Sequence, residues 1–110
     1  HDAQELDTDA VTVNMRGKGG RAALHAAANS GQMGIASTLL KRGAQTDLQC
    51  DDGSTALHLA AAQGHALVVR ILLRFGASTD IRDAMGKTAF DLATPSVREV
   101  LPQPALLELK

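Results

Sequence analysis

His25, His58, His65 and Cys50 are side chains that could hold a metal or attack a substrate, if their spacing allowed it. A zinc site needs three or four ligands at definite spacing, and these residues form no such pattern. A reactive thiol needs nearby positive charge. Cys50 is followed by Asp51 and Asp52, which push the other way, so an ordinary surface or half-buried thiol is expected. The run Arg16-Gly-Lys-Gly-Gly-Arg21 lacks the order Gly-x-x-x-x-Gly-Lys-Ser/Thr that cradles phosphate after a strand. It reads as a loop tip with a small basic cluster, Arg16, Lys18 and Arg21. Three charges would give only weak, salt-sensitive contact with nucleic acid or anionic lipid. No carboxylate pair, Ser-His-Asp arrangement or cofactor motif stands out. The expectation is no catalysis, no metal and no cofactor.

The elements that position these residues belong to one small domain. The chain has 110 residues, 45% of them apolar, with 11 basic against 12 acidic side chains. That apolar share suits a folded chain, and the charge balance argues against a general nucleic-acid binder. Phe75 and Phe90 are the only aromatic residues, so the core must be built from Ala, Leu, Val and Ile. One cysteine makes no internal disulfide, and no apolar run approaches a membrane span. A cytoplasmic or nuclear location is expected.

Self-similarity organises the chain. Gly20, Gly53 and Gly86 stand 33 residues apart (53 − 20 and 86 − 53). Sliding residues 20–50 onto 53–83 gives 13 identities, among them Leu24/Leu57, His25/His58, Gly31/Gly64, Leu40/Leu73 and Asp47/Asp80. Each unit reads as two short helices and a loop. Helices are predicted over about 22–30 and 32–42, with Gly31 and Gly43 as stops. The second unit repeats this with Gly64, a helix over about 66–75, and Gly76. Neither helix is long enough to stand alone in water, so stacking on neighbours must supply stability. The chain divides into the end of an upstream unit (1–19), units 20–52 and 53–85, a shortened unit 86–101, and a tail 102–110. In the last unit Pro95 arrives where the first helix should still run, and a short second helix is predicted over about 96–101. Leu6 and Asn14 fall at the tail positions of a unit, so the N-terminal edge reads as uncovered near Leu24, Ala27, Ile35 and Leu39. Leu106, Leu107 and Leu109 make the tail apolar. It would fold back onto the last unit or reach another chain.

The segment Gly53-Ser-Thr-Ala-Leu-His-Leu-Ala-Ala-Ala-Gln-Gly-His65 resembles the ankyrin repeat signature. Val68-Val-Arg-Ile-Leu-Leu-Arg-Phe-Gly-Ala77 resembles the family's second helix and stop. The likeness runs over about 14–101. It departs at Ala23 and Ala56, where the family has proline, and at Ala22, where it has a capping threonine. The resemblance implies an all-α solenoid of stacked helix pairs joined by β-turn loops. It also implies that His25 and His58 are structural, each bonding the residue three before it and nearby loop backbone, with Ala22 removing His25's partner.

Protein recognition is the function that resemblance implies. Carried over by position, the family's contact sites fall at Lys18, Gly19, Arg21, Asn29 and Ser30, then Asp51, Asp52, Ser54, Ala62 and Gln63, then Ala84, Met85 and Lys87. Acidic residues Asp47, Asp51, Asp52, Asp80 and Asp83 lie in loops, while Lys41, Arg42, Arg70 and Arg74 lie on or after second helices. Asp47 and Asp80 are expected to serve local turn bonding. Asp51 and Asp52, with no basic residue between Gly43 and Arg70, are expected to face a Lys- or Arg-bearing partner segment. The alternatives are self-association through the N-terminal edge or the leucine tail, and anion contact through Arg16, Lys18 and Arg21. No small-molecule substrate and no membrane span are expected.

Overall fold

The computed structural model describes residues 13–101. The readings of residues 1–12 and of the leucine tail lie outside these residues. A short 3-10 turn (Lys18–Gly20), six bounded α-helices and no strand are present among the described residues: α1 (Ala23–Ser30), α2 (Met33–Lys41), α3 (Ala56–Gln63), α4 (Ala66–Arg74), α5 (Ala89–Leu92) and α6 (Pro95–Arg98). The first helices α1, α3 and α5 pack in one row, and α2, α4 and α6 in a second. The predicted helix pairs hold to within a residue or two in the first two units.

Alanine sets the spacing of the inner row. Ala28, Ala60 and Ala61 are fully buried where the first helices meet, and their small side chains let the backbones approach closely. Between the rows the core is aliphatic, with Leu57, Val68, Val69, Leu72 and Val97 sealed from solvent. The N-terminal edge differs from the expectation in part. Leu24 and Ala27 are buried in a cluster that includes Val13. Ile35 is 51% exposed, whereas its equivalent one unit on, Val68, is 1% exposed because α2 covers it.

Glycine is required at the turn between α1 and α2. Gly31 has φ +73, and the His65 ring packs so close that any Cβ there would collide with it. His65 Nε2 also reaches the Asn29 carbonyl at 3.1 Å. One unit later Thr94 takes this place over Gly64, and its amide donates to the Ala61 carbonyl at 3.3 Å. The third unit corrects one expectation. Pro95 does not merely end a helix; it opens α6 as its first residue, where a missing N–H costs nothing. That helix ends at Arg98 rather than near residue 101.

The buried histidines tie each first helix to its loop. In unit two, Nδ1 of His58 accepts the Thr55 N–H at 3.1 Å, and Thr55 Oγ1 accepts the His58 N–H at 3.3 Å. On the far side of the ring, Nε2–H donates to the Lys87 carbonyl at 2.9 Å in the next loop. A ring with Nδ1 accepting and Nε2 donating serves both bonds at once. In unit one, His25 repeats this despite Ala22: its Nδ1 accepts the Ala22 N–H at 3.0 Å and its Nε2–H donates to the Leu48 carbonyl at 2.9 Å. Ala22 therefore removes only the hydroxyl half of the cap, not His25's partner. Asp47 is a second correction, because its carboxylate accepts the Ser78 N–H at 2.8 Å, a bond to the next unit rather than within its own turn. Asn14 does the same for Gln45 at 2.8 Å.

The backbone at Ala22 (φ −90, ψ 173) matches that at Thr55 (φ −95, ψ 172), so a threonine there enters a ready-made cap. Ala22→Thr is expected to stabilise the domain by roughly 0.5–2 kcal/mol. Thermal unfolding measures this, and an unchanged midpoint would contradict the cap. His25 makes a pH prediction. Burial pushes its pKa below the usual 6.5, so the unfolded chain takes up a proton at this position first. Stability from His25 is complete above about pH 6.5 and declines as pH falls below it. Urea midpoints across that range, with the His25 ring titration followed by NMR, check the direction.

Candidate protein-interaction surface

Three loop tips project from the stack, and one backbone pattern builds all of them. Residues 17, 50 and 83 each donate an N–H to the carbonyl four residues on: Gly17 to Arg21 at 2.8 Å, Cys50 to Ser54 at 2.9 Å, and Asp83 to Lys87 at 2.9 Å. The tips are also bonded to one another. The Asp51 N–H donates to the Gly19 carbonyl, and the Ala84 N–H to the Asp52 carbonyl, both at 2.9 Å. A Cβ on Gly53 (φ +82) would sit 2.7 Å from the Ala84 nitrogen, so this approach of tip to tip depends on glycine. The result is a continuous ridge.

A profile describing ankyrin repeats in three copies matches residues 24–101. The chain belongs to the ankyrin repeat family. No curated protein matches it. Ankyrin repeats generally serve protein–protein interaction.

Most of the contact positions taken from the ankyrin resemblance are on the surface. Lys18, Arg21, Ser30, Asp51, Asp52, Gln63 and Lys87 are exposed, Met85 is 81% exposed, and Asn29 is half-buried with its carbonyl engaged by His65. Ser54 is the exception. It is buried, and its N–H donates to Asp52 Oδ1 at 3.0 Å, so it supports the tip rather than presenting a side chain.

Asp51 and Asp52 separate in role. The Asp51 carboxylate lies over Gly20 of the preceding tip. Asp52 caps its own loop: Oδ1 accepts the Cys50 S–H at 2.9 Å as well as the Ser54 N–H. These bonds favour the ionised form, the thiol contact foremost, and hold the Asp52 pKa down at about 2. Arg21 contributes in the same direction through space, a neighbour that sequence distance concealed. In the third loop Asp83 does the corresponding work, its Oδ1 accepting the Met85 and Lys87 N–H groups at 2.9 Å each. Cys50 occupies Asp83's position in the second loop and cannot accept in this way, so Asp52 takes over. Cys50 is buried, not the surface or half-buried thiol expected.

Two cations of the first loop, Arg16 and Arg21, both lie near His25. Arg21 acts on Asp52, while Arg16 lines a shallow groove with residues 43–49 and Phe75. Phe75, 41% exposed at the end of α4, is a surface feature that sequence reasoning passed over. Its signal was an aromatic residue in a chain with almost none. No group of three or more metal-ligating side chains occurs among the described residues.

Asp52 is expected to matter for folding. Asp52→Ala removes the acceptor of two loop bonds and lowers stability by the order of 0.5 kcal/mol, discounted for solvent at this exposed tip. The sign of the pH dependence is opposite to that of His25 in cause but not in direction. The contribution of Asp52 is present above about pH 3.8 and is lost as pH falls toward 2. Chemical denaturation of both proteins at pH 7 and pH 2.5 measures the difference, which should shrink at the lower pH.

Proposed function

We propose that this domain recognises a protein partner through the ridge of loop tips and the first helices beside it. The observation that carries the reading is the tip-to-tip bonding, which fixes Arg21, Asp51, Met85 and Lys87 on one preorganised edge. Preorganisation lowers the ordering cost of association. The partner supplies a Lys- or Arg-bearing segment opposite Asp51, and Met85 offers the apolar contact of the third tip. Charge complementarity of this kind acts mainly on the association rate. Lys18, Asn29, Ser30 and Gln63 complete the surface, and Asp52 and Ser54 hold its shape. The role is non-catalytic, in a cytoplasmic or nuclear scaffold or regulator. Capture of partners with the domain, identified by mass spectrometry, supplies the ligand for kinetics.

A second reading, self-association at the N-terminal edge, is favoured by the exposed Ile35. Light scattering at several concentrations separates the two. For the partner reading, Asp51→Asn is expected to slow association several-fold at low salt and to flatten its salt dependence while leaving thermal unfolding unchanged. An association rate identical to that of the unmodified domain at low salt would remove Asp51 from the contact.

A further inference from the structure

A groove runs along the outer row of helices, and none of its lining residues belongs to a loop tip or a first helix. Its floor is apolar: Met33 of α2, Leu67 and Ile71 of α4, and Val100 just after α6. Arg70 and Arg74, one turn apart on α4, stand along it, with Glu99 at the end nearest α6. Met33 is 43% and Leu67 58% exposed. The repeats do not require this. The core needs Val68, Val69 and Leu72 from α4, which are fully buried, and Leu67 contributes nothing to that face. An exposed apolar strip flanked by charge marks a contact site.

We propose that residues 105–109 of this same chain, Ala-Leu-Leu-Glu-Leu, occupy the groove. Reach, composition and charge each support the cis segment. The fold's last core residue, Leu101, is buried directly after Val100 of the groove floor. Pro102-Gln103-Pro104 follows, and a proline-rich spacer of three residues extends about 9 Å. Packed helices lie about 8–10 Å apart, so the spacer carries the chain from α6 back to α4. There Leu106, Leu107 and Leu109 meet the apolar floor. Glu108, the one acidic residue of 102–110, meets Arg70 and Arg74, and Lys110 meets Glu99. The groove and the tail are independent of the ridge, so the proposal stands or falls apart from the partner reading.

Methyl NMR of the whole chain, against the chain ending at Pro104, tests it. The Met33, Leu67, Ile71 and Val100 methyls are expected to shift on truncation while Leu24 and Leu57 stay in place. Leu106→Asp with Leu109→Asp should reproduce the truncated spectrum. Glu108→Lys should move the groove methyls partway toward it, and Arg70→Glu with Arg74→Glu added should move them back. Groove methyls that are the same with and without the tail would overturn the proposal. So would a difference that grows with protein concentration, which would assign the groove to a second copy.

Discussion

The imidazole at the third position of a first helix is the interaction on which the rest of this structure depends. A helix of eight residues has a costly nucleus and unsatisfied N–H groups at its start. His58 answers both. One ring nitrogen accepts from the Thr55 backbone at the helix start, and the other donates to the Lys87 carbonyl at the base of the following loop. A single rigid ring thus fixes where the helix begins and where the next tip leaves the stack. His25 does the same between Ala22 and Leu48. Because the two rings are 33 residues apart, the loops they hold repeat in register, and the tips come close enough for direct backbone bonds.

The third unit lacks the ring and carries Pro95 soon after its first helix begins. Asp91 stands in the ring's place and makes the local reciprocal cap with Thr88, accepting its N–H at 3.0 Å. The helix it starts, α5, has four residues against eight in α1 and α3. Its companion α6 begins early, with Thr94 over Gly64 where the first pair uses His65 over Gly31. The turn keeps its packing while the helices shorten. Arg98 lies over Phe90 at 5.2 Å, a cation–π contact on the last pair.

Charge on this molecule is sorted by structural role. Asp47, Asp52 and Asp83 of the loops and Asp91 of α5 each accept backbone N–H groups, a use of these carboxylates that needs no partner. Asp51 is the tip carboxylate left to face outward. The basic residues of the second helices, Arg70 and Arg74, border an apolar groove instead. Near-neutral composition therefore covers two surfaces of different character, a ridge that is rigid by backbone bonding and an apolar groove bordered by arginines.

The 33-residue period, the glycine stops and the helical spacing of Leu and Ala determined the fold by themselves, because each states a local backbone requirement that repeats. The role of His58 came instead from the resemblance to the ankyrin signature, which pairs it with Thr55 three residues before it. What only the tertiary structure decided involves groups from different units. Sequence could not show that Ala22 leaves His25 bonded through the backbone, that Asp47 reaches Ser78, or that Cys50 turns inward to Asp52 with Arg21 nearby. Those contacts depend on how one unit is offset against the next. Leu67 carried a faint signal, an apolar residue on the side of α4 that the core does not use, but only packing brings it beside Met33 and Val100 in one groove. Burial of Ser54 and exposure of Ile35 follow the same rule: equivalent positions in a repeat meet different fates according to what lies beside them.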